Sequence, residues 1–550
     1  MAARVFCVDE LATLIATHLV AISPRSAAAL AQTCRALEVP ALSALWETQD
    51  SIRSLITHVL SEDAWRLTTQ HRVEAIMLTR PLNMWELDRL KRYASWIRRL
   101  VVSVWGFPED ITSLFAPTSS NAPPFLRFTL RELNWWLNRF NFSFITTFLS
   151  SHLTRIDIRT DPFGSLSRSV NRSTGTVPTE VVSVMRSAIK MFPSSLQFLT
   201  IYLGIGEEST LTKEIGLTEE ISAFILGCGE SLREFHSNLV LSTEAVTHLT
   251  NLPNLREWTT KQKPPKVTAL AHNGIPGGPA SVFPSLKSLQ LRGHESLGWL
   301  SLFDARENRS TPWTVVGNNL SHLVHDHSTL AIDSTLLSRV LPLANLVEIT
   351  LRMRCMTPSG PGCASRFSDQ DLEHLAIALP KLEVLRLGEA PCGANTCPTT
   401  ILSLFLLSIH CANLRILSVH FGTANIAADV MAMVDYVRSH DLHRRPKCAL
   451  DVLVAGNQVV PLDDCEFALV SMAISAIFPS LARIIGSLDW SPLERLALMC
   501  GKAQEPTDLM SFLNELNLSE RHETSSSLLE RVERFLHKKV APVTQEMDTS

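Results

Sequence analysis

Leu382-Glu-Val-Leu385-Arg-Leu387 begins two residues after Pro380, with leucine at its first, fourth and sixth positions. From the fourth position on, apolar and polar residues alternate, the period of a strand with one buried face. The pattern returns at Leu153-Thr-Arg-Ile156-Asp-Ile158, Leu196-Gln-Phe-Leu199-Thr-Ile201, Leu286-Lys-Ser-Leu289-Gln-Leu291, Leu346-Val-Glu-Ile349-Thr-Leu351 and Leu414-Arg-Ile-Leu417-Ser-Val419. Weaker copies begin near Leu130, Leu232, Leu255, Leu320, Leu450 and Leu481. Pro253, Pro284, Pro380 and Pro479 each stand two residues before the first leucine of a copy. Proline there stops a preceding helix and favours extended chain. Helical stretches are predicted between copies at Asp369 to Leu379, Thr399 to His410, Asp429 to His440 and Cys465 to Phe478. Short strand, helix and short strand in succession predict an α/β fold of parallel strands joined by helical crossovers.

This pattern resembles that of leucine-rich-repeat solenoids, with helices expected on the convex side. Copy starts lie from 23 residues apart (Leu130 to Leu153) to 43 (Leu153 to Leu196). Regular leucine-rich repeats run 20 to 29 residues. The asparagine that follows each L-x-L in regular repeats, and forms a hydrogen-bonded ladder through the turn, is absent. An irregular horseshoe over residues 96–490 is therefore expected. Linking helices precede it over 51–95, one at Ser51 to Leu60 and one carrying Leu90, Tyr93, Ala94 and Ile97. Residues 491–550 are read as C-terminal helices and a polar tail. Pro, Gly, Ser and Thr crowd at 116–124, 161–179, 261–284, 356–368 and 388–398, the composition of unstructured insertions.

If the repeat leucines point inward, their neighbours form a reading surface. Tyr202, Gln290, Arg292, Arg352, Arg386 and His420 are its candidates. Arg292, Arg352 and Arg386 could form a basic row suited to an acidic or phosphorylated segment, since guanidinium binds carboxylate and phosphate in bidentate fashion. The competing reading is a solvated strand face with ordinary ion pairs.

The first fifty residues read as three short helices. Asp9 is a fair N-cap for a helix with Leu11, Leu14, Ile15 and Leu19 at helical spacing. Ser23 and Pro24 break it. Ser26 can cap a second helix with Leu30, Cys34 and Leu37 as its apolar face, and Pro40 opens a third with Leu42, Leu45 and Trp46. So small a core leans on a neighbouring domain or on a partner. The plain alternative is a helical cap on the solenoid.

Val8-Asp9-Glu10-Leu11, Leu14-Ile15 and His18-Leu19, then Leu30-Ala-Gln-Thr-Cys34-Arg-Ala-Leu37, then Pro40-Ala-Leu42 and Leu45-Trp46 together resemble an F-box. The likeness is to the F-box proteins abundant in basidiomycete fungi and covers residues 5–50. Where that family begins with Leu-Pro, this chain has Cys7-Val8. The resemblance implies binding to a Skp-type adaptor on a cullin scaffold. It also implies that Val8, Leu11, Leu14, Ile15, Leu30, Cys34 and Leu37 supply the adaptor surface.

Composition narrows the function. The formal net charge is -4, and Lys and Arg are not gathered into a block, so nucleic acid is not an expected partner. The eleven cysteines include no C-x-x-C pair, and reduced, mostly buried thiols are expected. The apolar runs from Ile401 and Phe467 are too short to span a bilayer, and Asp9 and Glu10 interrupt the apolar start. A cytoplasmic or nuclear protein without membrane association follows. Gly204-Ile-Gly206 is followed by Ser209 where a dinucleotide fingerprint needs glycine, and there is no phosphate-binding loop, nucleophile elbow or zinc helix. His325 and His327 would share a strand face, most simply as an exposed pair, and Cys392 and Cys397 are a weak metal clip. No cofactor, metal or catalytic residue is expected. The reading is a substrate-recruiting ubiquitin-ligase subunit with an unknown protein substrate. Its rivals are a repeat scaffold without a ligase role and an enzyme whose site is built from dispersed residues.

Overall fold

The computed structural model describes residues 9–70, 73–102, 129–137, 145–160, 179–203, 217–260, 283–292, 319–327, 332–333, 337–338, 340–353, 365–388, 399–419, 421–422, 425–439, 448–455, 470, 473–474, 477–478 and 480–485. Two compact units, Met1–Trp258 and Thr259–Ser550, divide the chain.

The first unit opens with three helices, α1 (Asp9–Ile22), α2 (Pro24–Thr33) and α3 (Arg35–Glu47), and then β1 (Thr48–Gln49). Ser23, rather than Ser26, caps α2: its hydroxyl accepts from the Ser26 amide, and Pro24 takes the first helical position, where its missing N–H costs nothing. Cys34 is extended and separates α2 from α3, so Leu37 belongs to the third helix. Pro40 lies inside α3 instead of opening it.

The linking segment contains α4 (Ile52–Val59) and α5 (Met84–Ala94), as its apolar spacing predicts. Between them lies an antiparallel hairpin, β2 (Trp65–Gln70) with β3 (Val73–Leu78), which the sequence reading missed. A polar cluster around the buried Glu86 ties the parts together. Glu86 caps α5 through the Asn83 amide (3.0 Å), accepts from the Ser61 hydroxyl (2.8 Å) and takes two bonds from Arg80 (2.8 and 2.9 Å). Arg80 first of all holds its carboxyl down to about 2.

Strands β4 (Arg99–Val102), β5 (Glu132–Leu137), β6 (Arg155–Thr160), β7 (Phe198–Tyr202), β8 (Glu234–Ser237) and β9 (Glu257–Thr260) follow β1 side by side in chain order. The pairs β1–β4, β4–β5, β5–β6, β6–β7 and β7–β8 are parallel. Helices α6 (Ile145–Phe148), α7 (Thr179–Lys190), α8 (Thr218–Gly227) and α9 (Thr243–Asn251) lie between them in sequence.

In the second unit β10 (Ser288–Arg292), β11 (His322–His327), β13 (Glu348–Met353), β15 (Val384–Leu387), β16 (Ile416–Val419), β17 (Val452–Ala455) and β18 (Arg483–Ile485) are parallel throughout. Helices α10 (Asp369–Ala378), α11 (Ile401–His410) and α12 (Ile426–Ser439) connect them, and β12 (Ile332–Asp333) pairs with β14 (Ser365–Arg366) apart from this sheet. The repeat strands and helices of each unit have the architecture of an irregular leucine-rich-repeat solenoid. The fourth-position leucines form one buried layer, Leu289, Leu323, Ile349, Leu385, Leu417, Leu453 and Ile484 in register. On α10 to α12, Leu372, Leu375, Leu404 and Met433 are buried.

Short polar side chains do the work of the missing asparagine ladder, each donating to a backbone carbonyl of the previous repeat. Ser150 reaches Leu130 O (3.3 Å), Ser231 reaches Leu196 O (3.0 Å) and Asn254 reaches Glu230 O (2.8 Å). In the second unit Asn319 reaches Pro284 O (2.6 Å), Cys411 reaches Leu379 O (3.7 Å) and Cys448 reaches Leu414 O (3.2 Å). Burial pushes the Cys411 and Cys448 thiols up to about 12, as it does Cys228. Within each unit the residue after the first leucine of a copy supplies a second ladder, its amide bonded to its counterpart one repeat back, as from Glu383 N to Val347 O at 2.8 Å. Residues 491–550, the segment 116–124 and Cys392 and Cys397 lie outside the described residues, as do most of the other expected insertions and of the helix expected at 465–478.

Candidate functional site

Helix α1 is apolar on two faces, and only one is covered. Ala12 and Ala16 are buried, and Ala16 packs with Ala41 and Ala44 of α3, with Val20, Leu30 and Ala31 at the margin. Such small residues let the helices approach closely but bury little area. At 100° per residue the opposite side carries Leu11, Leu14, Ile15, His18 and Ile22 within an arc of roughly 100°. Leu14 is 68% and Ile22 70% exposed, and Leu11 40%. Ile15 is half-buried. Burying a leucine stabilises by about 1.5–3 kcal/mol, so this face holds several kcal/mol that folding does not use.

The other expected adaptor residues separate. Leu30 is half-buried against the alanine core and Cys34 is exposed at the α2–α3 junction. Leu37 is buried on the inward row of α3 with Ala41 and Ala44, which corrects its assignment to a surface. The helical spacing from Leu30 to Leu37 does not carry across the extended Cys34. Val8 lies outside the described residues.

Further along α3, Trp46 packs on Tyr93 with centroids 4.9 Å apart, and Glu38 meets Arg92 at 3.2 Å. The chain then runs directly into β1, which pairs with β4. The helices thus also close the end of the first unit's sheet, and they do so without using the Leu11–Leu14–Ile22 face.

On the strands, the expected alternation holds. Tyr202, Gln290 and Arg386 are half-buried beside buried inward leucines and isoleucines. In the first unit Arg159 is stacked over Trp136 (6.0 Å) and Tyr202 (5.8 Å) while binding Asp157 with two bonds (2.8 and 2.9 Å). Arg155 lies 4.2 Å over Phe198 and 3.7 Å from Glu234.

The basic row expected in the second unit does not form. Register places Asp326 between Arg292 and Arg352, and Arg386 aligns with Thr350, two positions earlier along the strand. The side chain of Arg352 and the whole of His420 lie outside the described residues.

The histidine cluster also reads differently. His325 is 2% exposed and stands between Leu291 and Leu351 in the inward row, so it is not one of an exposed pair. The side chain of His327 is outside the described residues. Among the described residues, Glu234, His236 and Glu257 bring three possible ligand atoms within 4.8 Å of one another. The sequence hides this group because β8 and β9 bring it together. Burial first, and Glu257's charge second, push the Glu234 carboxyl up, while Arg155 opposes them and already occupies it.

A second carboxylate group lies in the second unit. Asp369 at the start of α10 accepts from the Thr400 amide (2.7 Å) and hydroxyl (2.9 Å), and Asp429 lies in the first turn of α12. Burial, then the charge of Asp369, push Asp429 up to about 6. No helix among the described residues is long and apolar enough to cross a membrane.

No protein-family model matches the sequence, and no curated protein does. A solved structure, that of the Rad7 and Elc1 complex in yeast, includes a chain similar to this one at 14% identity, with 83% of this chain and 91% of that chain covered and a TM-score of 0.36.

Proposed function

We propose that the protein is a substrate-recruiting subunit of a cullin-type ubiquitin ligase, docking a Skp-type adaptor through α1 and holding a protein substrate on the repeat strands. The observation that carries this reading is the uncovered apolar face of Leu11, Leu14, Ile15 and Ile22, on a helix whose other face is used up by alanine packing. A helix apolar on both sides needs a second covering surface. The F-box resemblance of residues 5–50 says which kind of surface that is. In this reading the chemistry belongs to the partners, no residue here is catalytic, and the protein works in the cytoplasm or nucleus.

The test is co-purification of the full-length protein with a Skp-type adaptor, beside a Leu11→Asp, Leu14→Asp double variant. Both side chains point outward, so the variant should keep its far-UV circular dichroism and melting while losing the adaptor. A wild-type protein that retains no adaptor would sink the ligase reading and leave a repeat scaffold with a helical cap.

A further inference from the structure

We infer that the strand-start edge of the first unit is a docking edge for an acidic polypeptide segment, built from Arg98, Arg131, Arg233 and Arg256. These residues each follow the first apolar residue of a copy, in Ile97-Arg, Leu130-Arg, Leu232-Arg and Leu255-Arg. The backbone ladder makes them one row. Arg131 N bonds Arg98 O (2.7 Å), Thr154 N bonds Arg131 O (2.8 Å), Gln197 N bonds Thr154 O (2.9 Å), Arg233 N bonds Gln197 O (2.7 Å) and Arg256 N bonds Arg233 O (2.7 Å).

The next row over shows why this edge is positive. One residue further along, Arg99, Glu132, Arg155, Phe198 and Glu234 align in register, and their charges pair off: Arg99 with Glu132 at 3.5 Å, Arg155 with Glu234 at 3.7 Å. Arg131, Arg233 and Arg256 are exposed, and no carboxylate of the described residues reaches them. Arg98 donates only to the Ser95 and Thr129 carbonyls, which leaves its charge uncompensated. In the second unit the corresponding row includes Arg415 and Asp451, which neutralise each other at 2.9 Å. The unpaired arginines belong to the first unit's own sequence, not to the repeat pattern.

Spacing and surroundings select the ligand. Three strand steps separate Arg131 from Arg233, roughly 14 Å at about 4.8 Å per step, which an extended peptide covers in about four residues. Two acidic positions that far apart would meet Arg98–Arg131 and Arg233–Arg256, with the intervening residues over Thr154 and Gln197. Guanidinium suits carboxylate in this role. A nucleic-acid duplex fits worse, because its continuous phosphates would lie against Glu132, Glu234 and Glu257 beside the row.

This inference deepens the substrate half of the proposed function and rests on it only in calling the peptide a substrate. The test uses the full-length protein and a fluorescein-labelled Gly/Ser peptide carrying two pairs of glutamates about four residues apart, followed by anisotropy. A glutamine counterpart and a short DNA duplex are the comparison probes. Binding should weaken steeply with salt and fall about tenfold or more in an Arg131→Gln, Arg233→Gln, Arg256→Gln triple variant whose melting is unchanged. No binding of the acidic peptide, equal binding of the glutamine peptide, or equal binding by the triple variant overturns the inference. So does a duplex bound more tightly than the peptide and lost in the triple variant, which would make the edge a nucleic-acid surface. Adaptor co-purification separates the two readings: peptide binding without adaptor retention refutes the ligase role alone, and adaptor retention without peptide binding refutes the edge alone.

Discussion

Replacing Asp429 by Asn should stabilise α12 at neutral pH, with a gain that disappears in acid. The folded-state carboxyl is raised from 3.8 to about 6, by burial first and the Asp369 charge second. Between those values the folded chain holds a proton that the unfolded chain has released. The contribution of this group is therefore fully present below about 3.8 and lost as pH rises through about 6. A shift of this size on a dry group corresponds to about 3 kcal/mol. Asp429 is only half-buried, so solvent screening leaves about 1–2 kcal/mol. An ionised Asp in the first turn of a helix recovers roughly 0.3–1 kcal/mol from the helix dipole, which Asn loses. The expected net gain is about 1 kcal/mol, or roughly fivefold slower exchange of the α12 amides, residues 426–439, in hydrogen-exchange mass spectrometry near pH 7.5. Comparing wild type and variant at the same pH cancels the intrinsic exchange rate. Near pH 4 the two should agree, and Asp369→Asn, which removes the neighbouring charge, should give a smaller gain in the same direction. Faster exchange in Asp429→Asn at pH 7.5, or a difference independent of pH, would refute the reasoning.

Glu86→Gln should lower the melting temperature at pH 7, because Arg80 loses the charge of the carboxylate it binds at two points and keeps only the exposed Asp63, at 2.9 Å, as an ionic partner. With its carboxyl lowered from 4.5 to about 2, the wild-type contribution is present above 4.5 and lost as pH falls through about 2; a melting temperature unmoved by the substitution would count against the cluster's structural role. Leu385→Ala, in the buried layer between Ile349 and Leu417, should cost about 3–5 kcal/mol in chemical denaturation, whereas Arg386→Ala one residue on should stay within about 0.5; similar losses would contradict the inward alternation. Iodoacetamide at pH 7.5 should label the exposed Cys34 of the native protein and spare Cys228, Cys411 and Cys448, as peptide mass spectrometry can read; labelling of any of these three at the rate of Cys34 would show that the repeat interior is open to solvent.

What the sequence determined by itself is local. Inward and outward alternation in a strand depends on neighbours two residues away, so Leu385 and Leu387 announce a buried face wherever the strand is placed. Helix starts at Ser51, Ser368 and Thr400 follow from side chains that reach an amide two or three residues on. Tertiary structure decided everything that depends on which strand position meets which. Arg292 and Arg352 hold the seventh position of their copies and Arg386 the fifth, an offset already legible in the sequence, and what pairing adds is Asp326 standing between Arg292 and Arg352 while Arg386 aligns with Thr350. His325 is buried because it falls at the sixth position of its copy, in the inward row between Leu291 and Leu351. Leu37 moved into the core when the chain turned at Cys34, and the hairpin of β2 and β3 went unseen because His71-Arg72 between its strands carries none of the usual turn residues. The arginine edge and the Ser, Asn and Cys ladder lie in plain view in the sequence. They gain meaning only when repeats stack, because both are made of single residues that become neighbours across strands about 4.8 Å apart rather than along the chain.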